Sequence, residues 1–191
     1  VRLVILDRDG VINEDAAEHI RSPEQWVPVP GSLEAIARMC RAEYRVVVIT
    51  NQSGVGRGLY TLDTMNKINM RMFELLRHKG GQVDALMFCP HVPEDECECR
   101  KPRPGLFLEL ARRLKVNLHG IPAVGDSLRD LEAAAAVGAQ PVLVRTGKGV
   151  DTEAAIRGES GGRFAAVPVY DDLAGFVDHH MLDNAARAVV H

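Results

Sequence analysis

Five short apolar runs, each cut off abruptly by polar residues, constrain this chain more than any other feature of it. They are Leu3 to Leu6, Val46 to Ile49, Ala85 to Phe88, Ile121 to Val124 and Val142 to Val144. An aliphatic run without polar alternation reads as a strand buried on both faces, of the kind found in the middle of a parallel sheet. Between the runs, apolar residues recur at helical spacing: Leu33, Ile36, Ala37 and Cys40, then Leu62, Met65, Ile68, Met72 and Leu76, then Phe107, Leu110, Ala111 and Leu114. Strand and helix therefore alternate, and the expected fold is α/β, doubly wound around a mostly parallel sheet. The 191 residues suffice for one domain with a full core, so 1–191 is read as a single unit.

Local signals place the helices. Ser32 is the expected N-cap of a helix reaching about Ala42, Thr61 caps the next, and Gly80-Gly81 ends it. Asn13 to Pro30 carries Pro23, Pro28 and Pro30 and reads mostly as loop, with Trp26 as the side chain that pins it to the body. Val150 to Gly162 is polar and Gly-rich and reads as a loose excursion. Val167 to Val169 is expected as a short strand, a last helix starts at Asp171 or Asp172, and the tail from Met181 reads as a terminal helix with no chemistry assigned to it.

The net charge of -3 gives no electrostatic case for nucleic acid. No stretch is long and apolar enough to span a bilayer and no signal peptide precedes the first strand, so the expected location is the cytoplasm.

The chemistry lies where the runs end. Leu3 to Leu6 delivers Asp7 and Asp9, which share a parity in extended backbone, and Gly10 permits a sharp turn after them. Ligands in open α/β sheets sit at such carboxyl ends. Two carboxylates this close need a cation between them or a shared proton; a hard divalent ion such as Mg²⁺, one nucleophilic acid and one general acid/base form the concrete reading, and a solvated corner the bland one. Val46 to Ile49 ends in Thr50-Asn51-Gln52-Ser53-Gly54, neutral donors suited to an anion, and Gly54, Gly56 and Gly58 flank Arg57. Ile121 to Val124 ends in Gly125-Asp126-Ser127, and the third acid, Asp126, strengthens the case for a hard cation. Asp130 either supports the site or favours a helix N-terminus by its charge. Asp15, Ala16, Ala17 and Glu18 follow the acid pair closely enough to overhang it, and His19 either touches a ligand or lies at the surface.

A different cluster follows Ala85 to Phe88. Cys89 and His91, then Cys97 and Cys99, supply four soft or borderline ligands with no open position, the composition of a structural tetrahedral zinc site within a loop at 89–99. Such a metal stiffens the loop and fixes Arg100 and Lys101, which become candidate phosphate ligands. Cys40, in an amphipathic helix, is read as a core residue.

Asp-x-Asp-Gly, a strand-ending Thr, a Lys and Gly-Asp-x-x-x-Asp occur in an order that resembles the haloacid dehalogenase superfamily, over roughly Leu3 to Gly149. Asp-Arg-Asp-Gly, Thr-Asn-Gln-Ser-Gly and the zinc loop before Cys-Arg-Lys-Pro look, within it, like the D-glycero-D-manno-heptose 1,7-bisphosphate 7-phosphatases; Val-Arg-Thr-Gly-Lys over residues 144–148 also matches. The resemblance implies an aspartyl-phosphate phosphomonoesterase of lipopolysaccharide-core or heptose nucleotide biosynthesis; no large insertion follows either of the first two motifs, so no cap domain is expected, and a monomer is expected. It implies that Asp7 attacks phosphorus, Asp9 protonates the leaving oxygen and then activates water, and Thr50 and Lys101 stabilise the transferring group. Mg²⁺ would be held by Asp7, the main-chain carbonyl of Asp9 and Asp126. Substrate contacts fall to the short loops: Asp15, Ala16, Ala17, Glu18, Asn51, Gln52, Ser53, Arg57, Arg100 and Ser127. A bisphosphate keeps a second anion on the product, for which Arg57 and Arg100 are the available cations. Where several heptose enzymes have Gly-Asp-Lys, this chain has Gly-Asp-Ser, so that cation is absent at Ser127. The alternatives are a histidinol-phosphate phosphatase, whose zinc loop is similar, and a phosphoacceptor switch, which would need no acid at Asp9.

Overall fold

The computed structural model describes residues 2–158 and 162–188, with side chains up to residue 180. Six strands form one parallel sheet in the order β3-β2-β1-β4-β5-β6: β1 Leu3–Leu6, β2 Arg45–Asn51, β3 Ala85–Cys89, β4 Pro122–Gly125, β5 Gln140–Val144 and β6 Val169–Tyr170. Register places Leu3 beside Arg45 and Leu6 beside Val48 on one flank of β1, and Leu6 beside Val124 on the other.

Alternate residues of each run face opposite layers, which is why the runs show no polar alternation. Val4, Leu6, Val46 and Val48 face the core closed by α1 (Ser32–Arg41), α3 (Leu62–His78) and α7 (Leu173–Ala188). Leu3, Ile5, Val47 and Ile49 face the opposite core, closed by α4 (Gly105–Leu114) and α5 (Leu128–Ala136). A third cluster packs Ile156 of α6 (Gly149–Arg157) with Leu131 and Leu143. Chain direction across the sheet reverses at β1, whose neighbours are β2 and β4, so the crevice for a ligand opens beyond the carboxyl ends of β1 and β4. Among the described residues no separate cap domain covers it, and no helix is long and apolar enough to cross a membrane.

Thr61 accepts a hydrogen bond from the Thr64 amide and caps α3, as expected. Trp26 is buried in the first core, so the loop after β1 is pinned there. Three local expectations are corrected. Ser32 is not the N-cap of α1: Gly31, at φ +80°, takes that place, and the Ser32 hydroxyl donates to the Ile12 carbonyl at 2.6 Å, tying the loop to the helix. Residues 149–157 form α6 rather than a loose excursion. Its inward positions, Thr152 and Ile156, stand one turn apart and only one is apolar, too thin a stripe to read from sequence. The last strand is Val169–Tyr170 rather than 167–169, and the terminal helix expected from Met181 is the continuation of α7, Leu173–Ala188, as far as the described residues reach. Cys40 is only half-buried at the rim of the first core, its thiol against the Gln82 carbonyl.

Candidate active site

β1 hands its direction to the residues after it. The Asp7 amide donates to the Val124 carbonyl, so the chain still follows β4 when the first acid emerges. Asp7, Asp126 and Asp130 bring carboxylate oxygens within 4.8 Å of one another. Such a trio repels itself, and the cost falls on Asp7 and Asp126, while Asp130, despite burial, is held below the ordinary carboxylate range by Lys101 and Ser127. Burial, opposed by Lys101, pushes Asp7 up to about 6; burial with the charges of Asp130 and Asp7 pushes Asp126 up to about 8. Hard oxygen donors in this spacing suit a small divalent cation. The wall is fitted to Asp126: a Cβ on Gly10 or on Gly147 would stand 2.2 Å from its Oδ2, and both glycines have positive φ.

Lys101 is the internal counter-charge. Only 3 % exposed, its ammonium lies 3.0 Å from Asp7 Oδ1 and 2.7 Å from Asp130 Oδ1, and donates to the Ile49 carbonyl at 2.8 Å. Asn51 fixes the lysine's backbone by a reciprocal pair, Nδ2 to the Lys101 carbonyl and the Lys101 amide to Oδ1, each 3.1 Å. Asp130 is committed to Lys101 and to Ser127, whose amide and hydroxyl donate to Oδ2 at 3.0 and 2.5 Å. It therefore supports the site and closes the first turn of α5 at once.

Asp9 sits in a separate cradle. Arg8, 1 % exposed, grips both its oxygens through Nε at 3.0 Å and Nη2 at 3.2 Å while Nη1 donates to Asn69 at 2.8 Å. Asn13 Nδ2 and Gln52 Nε2 donate to the same carboxylate at 2.9 and 2.8 Å. Burial pushes Asp9 up, but the charge and hydrogen bonds of Arg8, then those of Asn13 and Gln52, outweigh it and hold Asp9 below the ordinary carboxylate range. Gln52 also donates to Thr50 Oγ1 at 3.0 Å and accepts from Tyr60. Two acids two residues apart thus have opposite electrostatics.

These groups floor a cavity of about 210 Å³. Asp15, Ala16 and Ala17 overhang it as expected, together with Asn51, Gln52, Ser53 and Arg100. His19 is also at the wall, at φ +66°, with Nε2 3.4 Å from Ser53 Oγ. Three expected contacts are not brought to the wall. Glu18 is exposed and pairs with Arg21, Arg57 is exposed beyond the lining, and the Ser127 hydroxyl is turned onto Asp130. Sequence reasoning missed Arg8, Asn13 and Tyr60, which shape Asp9, and Arg129 and Lys148 at the wall. Arg8 stood between the two acids, the one local hint; the others depend on long-range packing. Lys148 anchors the site twice, its amide on Asp126 Oδ2 at 2.8 Å and its ammonium 3.2 Å from Asp15.

Beside the cavity, Cys89, His91, Cys97 and Cys99 converge. His91 Nδ1 lies 3.5 Å from Cys89 Sγ and 3.2 Å from Cys99 Sγ, and Cys97 Sγ lies 3.6 Å from Cys89 and 3.5 Å from Cys99. A tetrahedron with Zn–S bonds of about 2.3 Å sets its corners about 3.8 Å apart, so four donors this close could hold such an ion. Burial pushes the Cys89 thiol up to about 12, whereas Cys97, despite burial, is brought down to about 7 by hydrogen bonds from Cys99 and Cys89. A cation is what allows all the sulfurs to be thiolates together.

An acid pair just beyond β1, a buried lysine and a distal acid just after β4 are the constellation of a phosphatase of the haloacid dehalogenase-like hydrolases. Family profiles agree: one described as HAD-hydrolase-like matches residues 98–175, and one described as polynucleotide kinase 3 phosphatase matches residues 3–128. A D-glycero-beta-D-manno-heptose-1,7-bisphosphate 7-phosphatase of Bordetella bronchiseptica is 49% identical over 178 residues, 93% of this chain and 97% of that one. One from Pseudomonas putida is 51% identical over 152 residues, 80% and 87% of the two chains. The crystal structure of the B. bronchiseptica D,D-heptose 1,7-bisphosphate phosphatase with magnesium and phosphate superimposes at a TM-score of 0.91, with 48% identity over 96% of this chain and 99% of that one. The chain belongs to the family of the D-glycero-beta-D-manno-heptose-1,7-bisphosphate 7-phosphatases.

Proposed function

We propose that this protein removes the 7-phosphate of a D-glycero-D-manno-heptose 1,7-bisphosphate through an aspartyl-phosphate on Asp7. The observation that carries the chemistry is the convergence of Asp7 and Asp126 beside the Lys101 ammonium on the cavity floor. The substrate follows from the names of relatives about half identical over most of the chain.

Asp7 is the nucleophile because Lys101 opposes the effect of burial and leaves it mainly ionised at neutral pH. Its free oxygen bonds to phosphorus as the bond to the sugar oxygen breaks, and Asp9 gives that oxygen a proton. Arg8 holds Asp9 ionised, so the proton arrives with the substrate, whose phosphate has a second pKa of about 6. In the second half, Asp9 takes a proton from water as the water oxygen attacks phosphorus and Asp7 leaves. Lys101 and Thr50 stay beside the transferring group and offset its charge without moving. Asp7, Asp126 and the carbonyl of Asp9 would hold Mg²⁺, which supplies charge neutralisation for the phosphoryl oxygens. Cys89, His91, Cys97 and Cys99 would hold Zn²⁺ in a structural role, keeping Arg100 and Lys101 in register.

A small cavity assembled within one chain and a net charge of -3 favour a small phosphorylated sugar over a polynucleotide, and a monomer as the working unit. Free thiols fit a reducing, cytoplasmic setting. Direct competition between the heptose bisphosphate and histidinol phosphate tests the reading: a much higher kcat/KM for the heptose is expected. The reverse order would move the assignment to histidinol phosphate, and absence of phosphate release from either would point to a phosphoacceptor.

A further inference from the structure

The cavity wall carries four cations, and they differ in what they already face. Lys101 is held between Asp7 and Asp130, and Lys148 is paired with Asp15. Arg100 spends one nitrogen on the His91 carbonyl at 3.2 Å and pairs with no carboxylate among the described residues. Arg129, half-buried in the first turn of α5, makes no hydrogen bond or ion pair among the described residues. Both guanidinium groups border the same cavity as the reacting acids, yet neither is balanced by them.

Partly buried like charges are costly side by side unless an anion joins them. Arg100 and Arg129 line one cavity, and neither is fully exposed to solvent. The transferring phosphoryl already has Lys101 and the acid-held cation site on the cavity floor. Resting on the bisphosphate reading, we propose that Arg129, together with Arg100, forms the subsite for the phosphate that is not transferred, and that Arg129 is a specificity-determining residue. Planar guanidinium forks suit that task, since each can give a phosphate two parallel hydrogen bonds. Ser127 cannot share it, because its hydroxyl is spent on Asp130.

The test compares kcat/KM for the heptose 1,7-bisphosphate with that for the 7-monophosphate, in the wild type, Arg129→Ala and Arg129→Lys. Arg129→Ala is expected to lower the ratio of the two by about 10- to 100-fold, chiefly through KM for the bisphosphate, and Arg129→Lys to restore part of it. A wild-type ratio near one would overturn the bisphosphate reading and this inference with it. A high wild-type ratio that Arg129→Ala retains, whether both substrates lose activity together or neither does, overturns the role of Arg129 alone.

Discussion

The acid cavity and the cysteine-histidine cage are neighbours with opposite construction. The cage draws its four ligands from residues 89–99, so its geometry depends on one short loop. The cavity draws on residues 7, 101, 126 and 130, which only the sheet brings together. A local cluster without an ion is a loop with poor cohesion; a cluster built by strands keeps its positions and suffers instead from charge. The difference teaches where each will fail: the cage in structure first, the cavity in chemistry first.

The largest effect expected from breaking that contrast is at Asp7. Asp7→Asn should lower turnover by about 10³-fold or more while the metal-free protein melts no earlier than wild type, because a repelled charge has been removed. Near-normal turnover in steady-state assays would end the nucleophile assignment. Cys97→Ser should act through structure: loss of one zinc per chain by elemental analysis, and a fall in kcat/KM of about tenfold, as Arg100 and Lys101 lose their tether. Unchanged metal content would remove the cage from the argument.

The cavity also predicts a pH signature. Burial holds Asp7 up at about 6 and Asp126 up at about 8 in the folded chain, above the ordinary carboxylate range, so the folded state binds the extra protons. Their contribution to stability is complete below the unfolded pKa and is lost as pH rises through the folded values. In chelator, the melting temperature should therefore fall between about pH 4 and pH 8, and added Mg²⁺ should raise it most at the upper end. A Mg²⁺ shift independent of pH would separate the ion from these acids. The smallest effect is expected at Arg57, solvated outside the lining: Arg57→Ala should change the preference for bisphosphate by less than about twofold, well below Arg100→Ala. Equal losses would return Arg57 to the site.

The same contrast explains what was legible in the sequence. The convergence of Cys89, His91, Cys97 and Cys99 could be read, because four ligands within a short span need little of the fold to meet. Asp7, Asp9 and Asp126 could be read because each ends an apolar run, and strand ends converge in a parallel sheet. Arg129 and Lys148 could not: they follow helix and loop geometry, where facing inward or outward is set by packing. Ser127 shows the converse. Its position suggested a substrate contact, but a carboxylate one helical turn away captured its hydroxyl. Residues 149–157 were misread because a helix with a single apolar inward residue leaves almost no periodic trace.

The strand order has a consequence for the order of synthesis. β1 is made first but gains its second neighbour only when β4 emerges, more than a hundred residues later. Until then one edge of the most apolar strand waits open on the ribosome, beside a nucleophile with no distal acid. A nascent chain halted before β4 would hold the thiol cage and the first two acids yet be unable to complete the catalytic floor. Its exposed edge would make it a substrate for chaperones, and activity would appear only after β4 and the later segment carrying Lys148 have docked.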